Sequence, residues 1–185
     1  MSPILGIYAS QISGHLYTLQ GNYDALATVT VPSGGVSSIT FAGIPQTGYS
    51  HLQIRFLHGT NPAGYDTGIR FNGDTGSNYS GHYLGGSRSG SVASGSLGPK
   101  SFMSCSFSGI TNTTFAAGVV DILDYANPNK NKVIRSFNGR DNNGNGDMYL
   151  MSGAWLNTSA VNNITIVAPS ATFIQYSSFA LYGVK

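Results

Sequence analysis

The sequence predicts an all-β protein, a jelly-roll-like β-sandwich with a short N-terminal arm. Composition is the first reason. Only 9% of the 185 residues are charged, against about 25% in an average globular domain. Every acidic residue is Asp and none is Glu, while Gly contributes 25 residues and Thr, Val, Ile, Tyr and Phe abound. Strong helix formers are scarce and strand formers plentiful. Disorder does not explain the low charge, because 11 Tyr, 9 Phe and a hydrophobic fraction of 41% can build a core. The second reason is an apolar/polar alternation of period two along most of the chain. The third is its regular interruption by Gly-, Pro- and Asn-rich turns.

The elements follow in order. Thr28-Val29-Thr30-Val31 alternates and stops at Pro32-Ser33-Gly34-Gly35. Val36 to Phe41 places Ile39 and Phe41 on one face, and residues 43–48 form a loop. His51 to Phe56 points Leu52, Ile54 and Phe56 inward and Arg55 outward. Ile69-Arg70-Phe71 obeys the same rule and meets the turn Asn72-Gly73-Asp74. Residues 85–99, GGSRSGSVASGSLGP, read either as a long loop or as an edge strand between turns. Residues 113–126 suit a buried strand, since Gly118 and Val119-Val120 oppose a helix. Val133–Phe137 and Met148–Trp155 read as a hairpin across a Gly/Asn-rich turn. Ile164–Ile166 and Phe179–Tyr182 end the series, for about ten short strands in a sandwich or barrel. The composition changes near residues 18–24, so residues 1–21 are assigned as an N-terminal docking arm and 22–185 as the sandwich domain.

Several function classes lose support at this stage. A net charge of +2 gives no footprint for nucleic acid. No stretch approaches the ~18 apolar residues of a membrane span. The opening MSPILGIYASQISGHLY lacks a basic start and turns polar early, so a signal peptide is not expected. The sequons at Asn78, Asn112, Asn157 and Asn163 are then chance products of an Asn/Ser/Thr-rich chain. A single cysteine, Cys105, rules out an intrachain disulfide framework; on a strand it reads as a small buried hydrophobe.

The sharpest motif is Asp141-Asn142-Asn143-Gly144-Asn145-Gly146-Asp147. It matches the first half of a calcium loop, with oxygen ligands at alternate positions and a glycine at the bend. The twelfth position is Ser152, where a bidentate Glu belongs. A hairpin turn explains the same letters. No metal or other cofactor is expected, and Asp141, Asn143, Asn145 and Asp147 stand only as a subsidiary Ca2+ candidate. No catalytic residue emerges: the four histidines, His15, His51, His58 and His82, form no zinc motif, and no nucleophile elbow is present. Seven Asp leave a glycosidase-type carboxylate pair open without marking one. The tyrosines and Trp155 suit either a sugar- or protein-binding surface or half-buried sheet faces.

Five segments carry a family resemblance: Ile4-Leu5-Gly6 with Ala9-Ser10, ITFAGIPQTGYSHLQIR at 39–55, RFNGDTGSNY at 70–79, VVDILDYANPNKNK at 119–132, and YSSFALYGVK at 176–185. With them the chain resembles small virion structural proteins of tailed, marine-type bacteriophages. The resemblance implies a non-enzymatic, surface-exposed virion component, assembled in the host cytoplasm and bound to other virion proteins. It suits a tail-fibre or host-recognition module, touching a host glycan or receptor. The alternatives are a capsid decoration or head-fibre protein on the capsid lattice and, from another class, a polysaccharide depolymerase. A homotrimer is expected, with no nucleic acid and no membrane insertion. Ile4, Leu5, Ile7 and Tyr8 would insert into the neighbouring virion protein.

Overall fold

In the computed structural model the described residues are 21–87, 89–107 and 113–185. They contain strands and no helix. The strands are β1 (Tyr23–Thr30), β2 (Ser38–Ala42), β3 (His51–His58), β4 (Thr60–Asn61), β5 (Asp66–Phe71), β6 (Tyr79–Ser87), β7 (Val92–Lys100), β8 (Met103–Phe107), β9 (Ala116–Leu123), β10 (Lys132–Arg140), β11 (Asp147–Trp155), β12 (Asn163–Val167), β13 (Thr172–Phe173) and β14 (Ser178–Val184).

These strands make a jelly-roll sandwich. One sheet runs β1-β14-β3-β9-β10-β11-β6-β7 and the other β2-β12-β5-β8. The pairing is nested like a long hairpin wound on itself. β1 pairs β14, β2 pairs β12, β4 pairs β13, β3 pairs β9 and β5 pairs β8, all antiparallel. β1, β14, β3 and β9 lie in the larger sheet and β2, β12, β5 and β8 form the smaller, so the paired framework strands divide four and four as in a jelly roll, with β4 and β13 as a separate two-stranded ladder. Two hairpins, β6–β7 and β10–β11, are inserted into the roll, and both widen the larger sheet.

Alternation decides which side chains meet in the middle. Leu52, Ile54, Val120, Ile122, Ile134, Phe179 and Leu181 project from the eight-stranded sheet; Ile39, Phe41, Ile69, Phe71, Ile164 and Ile166 project from the four-stranded one. All are buried in one continuous cluster. The expected inward faces of residues 39–41, 51–56 and 69–71 are as the alternation placed them.

β4 and β13, two residues each, help to raise the strand count above the expected ten, and residues 85–99 take the edge-strand reading rather than the loop. Their strands form the outer hairpin of the large sheet, with β7 at the edge. Glycine in this hairpin makes room for rings: a Cβ on Gly85 would lie 2.4 Å from the Tyr149 ring, and one on Gly95 2.9 Å from the Tyr83 ring. Tyr83, Tyr149 and Phe107 pack in sequence beneath the hairpin, with ring centroids 6.2 and 4.8 Å apart. The proposed arm, 1–21, lies outside the described residues apart from Gly21.

The core makes a stability prediction. Ile54→Ala empties space on the innermost strand and should cost about 3 kcal/mol in urea unfolding. Thr40→Ala, on the outward side of the small sheet, should change stability by less than about 0.5 kcal/mol. Equal effects of the two substitutions would contradict the assigned faces.

Candidate functional site

Ile4, Leu5, Ile7 and Tyr8 lie outside the described residues. Asp141 to Asp147 form the β10–β11 turn, closed by the register pair Arg140↔Asp147. Asn142 and Asn145 exchange backbone hydrogen bonds of 3.2 Å, and Asn143 and Gly144 take φ of 53° and 81°. The Gly144 N–H donates to Asp141 Oδ1 at 2.9 Å. Asp147 Oδ2 accepts from Arg140 Nε and Nη2 at 3.0 and 2.7 Å. The guanidinium thus supplies the positive charge that a cation would otherwise bring. Among the described residues no three His, Cys or Asp side chains gather as a metal site.

Each carboxylate has its own partner. Asp24 holds Lys185 and Tyr49, Asp66 holds Lys100 and Ser104, and Asp74 holds Trp155. Asp121 accepts from Gln53 and Arg135, and Asp124 from Lys130. A general acid needs a raised pKa. The shifts resolved here run the other way. Lys185 and Tyr49 lower that of Asp24, Trp155 and Asn78 that of Asp74, and Lys130 that of Asp124.

The nearest approach to a nucleophile–base pair is His58 with Ser106. His58 Nε2 lies 3.2 Å from Ser106 Oγ and 3.4 Å from Thr67 Oγ1. Both His58 and Ser106 are buried, and the imidazole packs among Phe56, Phe173 and Phe179. Burial pushes its pKa down to about 3, so it is neutral at ordinary pH. Its Nδ1 has no hydrogen-bond partner among the described residues. Cys105, also buried, donates to Thr67 O, and burial pushes its thiol pKa up. No substrate reaches either group from solvent in this arrangement.

Trp155 does not belong to a glycan platform. It is buried against Phe71 and Tyr79, with its Nε1 donating to Asp74 Oδ2 at 2.7 Å. Tyr79 and Tyr125 are buried as well. Aromatic residue type alone could not tell the two faces of a strand apart.

What the sequence reading missed is the outward face of the eight-stranded sheet. Phe137, Leu150 and Leu84 lie directly across from one another on β10, β11 and β6. Their exposures are 47%, 55% and 50%. The neighbouring row runs Gly139, Met148, Gly86 and Val92, with Leu57 further along it across Ala117. Among the large hydrophobic side chains that the described residues expose, only Tyr65, Leu156 and Tyr176 lie off this face. The small sheet is polar outside: Ser38 and Thr40 are exposed, and Thr40 shares a 3.1 Å hydroxyl bond with Thr165. An antiparallel sheet with one solvated face normally looks like the small sheet. Large continuous apolar patches mark interaction surfaces. The signal was present in the sequence: Met148 to Met151 is apolar at both parities.

No family model, curated protein or solved structure matches the chain. The site geometry therefore stands on the residues alone.

The buried histidine sets a pH dependence. Unfolded His58 takes a proton near pH 6.5, whereas the folded group resists it until about pH 3. Between these values the unfolded state binds more protons, so stability falls as pH falls. The expected slope is about 1 kcal/mol per pH unit between pH 6 and 5, above the range where the depressed carboxylates of Asp24, Asp74 and Asp124 contribute. Urea titrations across this interval should show it, and His58→Gln should flatten it. A slope unchanged by the substitution would contradict the assignment.

Proposed function

We propose that this chain is a non-enzymatic structural protein of a tailed-bacteriophage virion, exposed on the particle as a tail-fibre or host-recognition module. Residues 1–21 anchor it to a neighbouring virion protein through Ile4, Leu5, Ile7 and Tyr8, and its copies assemble as a homotrimer. The observation that carries the reading is the contrast between the two halves of its chemistry. Every Asp is engaged with a partner and the His58–Ser106 pair is buried, while a broad apolar sheet face is exposed. That combination favours assembly over catalysis. The family resemblance supplies the virion setting. Within the described residues its segments fall on β2–β3, β5 and the following turn, β9 and its turn, and β14. They are framework strands and turns.

Immunogold labelling of purified particles tests the location. Label at the tail is the expected result, label on capsid lattice points would place the chain as a decoration protein, and unlabelled particles would overturn the virion reading. Removing residues 1–20 should leave a chain that unfolds cooperatively but no longer enters particles, since the buried core cluster lies within residues 31–181. Incubation with host exopolysaccharide should produce no chain shortening; shortening would revive the depolymerase alternative.

A further inference from the structure

The outward face of the large sheet has features that select its occupant. Its size is the first. Eight strands spaced ~4.8 Å apart span roughly 34 Å, and seven to nine residues at ~3.4 Å each give roughly 24–30 Å, or on the order of 800–1,000 Å². A standard protein–protein interface takes ~800 Å² from each partner.

Charge is the second. The charged side chains on this face are Arg55, Asp121 and Arg135. Arg135 Nη2 lies 3.5 Å from Asp121 Oδ2, and Gln53 donates to the other oxygen, Oδ1, at 2.8 Å. Arg55 donates to Gln53 Oε1 at 2.8 Å and sits over the Tyr23 and Tyr182 rings at 5.3 and 4.7 Å. These polar groups answer one another within the face. With no field of a single sign, the face does not select a polyanion, an anionic membrane or a charged peptide. It can also meet its own copy without strong like-charge repulsion.

Relief is the third. The large side chains of Phe137, Leu150 and Leu84 make a ridge, and the adjoining row has hollows at Gly139 and Gly86 on either side of Met148. Nothing lies within 4 Å of the position a Gly86 Cβ would take. The hollow beside it, lined by Leu84, Val92, Phe137, Met148 and Leu150, encloses about 230 Å³. A surface that carries both knobs and holes for side chains of the same size can seat the knobs of one copy in the holes of the next around a closed ring.

We infer that copies of this chain associate through the outward face of the eight-stranded sheet, the Phe137–Leu150–Leu84 ridge of one copy seating in the Gly86 and Gly139 hollows of another. The assignment rests on the self-assembly part of the proposed function and on no other part of it. Its contact residues are Leu, Met, Val and Phe137, with Tyr23 and Tyr182 beside Arg55 on the same face. The face leaves the four-stranded sheet and its polar exterior in solvent.

Light scattering on the full chain tests it. The wild type should run at a whole multiple of 19.4 kDa. Leu150→Glu and Leu84→Glu should each run at the single-chain mass with an unchanged β circular-dichroism spectrum. Thr40→Glu, on the small sheet, should keep the multiple. A wild type that stays at the single-chain mass up to its solubility limit overturns the inference. So does a multiple that survives both substitutions, which would leave self-association intact but move it elsewhere. If the Glu variants do not fold, Leu84→Cys provides a second readout, because the native Cys105 is buried. Its labelling by a maleimide should speed up several-fold on dilution, and a rate independent of concentration overturns the inference. Particles lacking the chain would sink the virion setting without touching this result.

Discussion

The packing of Ile54, Val120, Ile122 and Ile134 against Ile69, Phe71, Ile164 and Ile166 is the contact on which the rest of the molecule hangs. It joins two sheets of unequal width. At ~4.8 Å between strands, eight strands span roughly 34 Å and four span roughly 14 Å. The small sheet therefore covers only part of the large one. Beneath the β6–β7 overhang the gap is filled by Tyr83, Tyr149 and Phe107, with Arg140 above the Phe107 ring at 5.8 Å. On the other side of the large sheet nothing in the chain's described residues plays that part. The apolar outward face follows from the same widening that the two inserted hairpins produce.

Polar groups inside the sandwich fasten loops to this frame. Lys132 is fully buried, and its ammonium donates to the carbonyls of Asn127, Lys130 and Thr158 at 2.6, 2.6 and 2.8 Å. Three donors meet three acceptors, which is how a buried ammonium is tolerated. Asn138 Nδ2 donates to Cys105 O at 3.0 Å and ties β10 to β8 across the sandwich. Asp74 gathers the Trp155 indole, the Asn78 amide and the Gly76 N–H, so the turn after β5 is bolted to the end of β11. These arrangements hold loops in place, and none of them opens a reactive group to solvent.

How much of this was legible in the sequence depended on whether neighbours along the chain or across the fold decided it. Alternation in HLQIRF and in SITFA assigned inward faces correctly because each strand is covered on one side by the core. It left residues 85–99 open between a loop and the edge strand that forms, because glycine has no side chain to alternate and the covering rings come from Tyr83 and Tyr149. The burial of Lys132 was not readable, because one of its three carbonyls comes from Thr158, 26 residues away. Residue type left Trp155 open between a binding surface and a sheet face, and its place in the core is set by its register with Lys132 and Tyr79. Residues 141–147 carried two meanings, and the ion pair Arg140–Asp147 at the base of the turn accounts for the hairpin one. The exposed apolar face was written as apolar residues at both parities of β11, a pattern that a fully buried strand would also show.

The central claim is that the large sheet is walled on both sides: by the small sheet within the chain and by another copy outside it. An experimental structure of the full chain in its assembled form tests this most directly. The account predicts Leu84, Phe137 and Leu150 within about 4 Å of apolar atoms of another copy, the contact distance of packed side chains. An assembly in which those three side chains face solvent would contradict it.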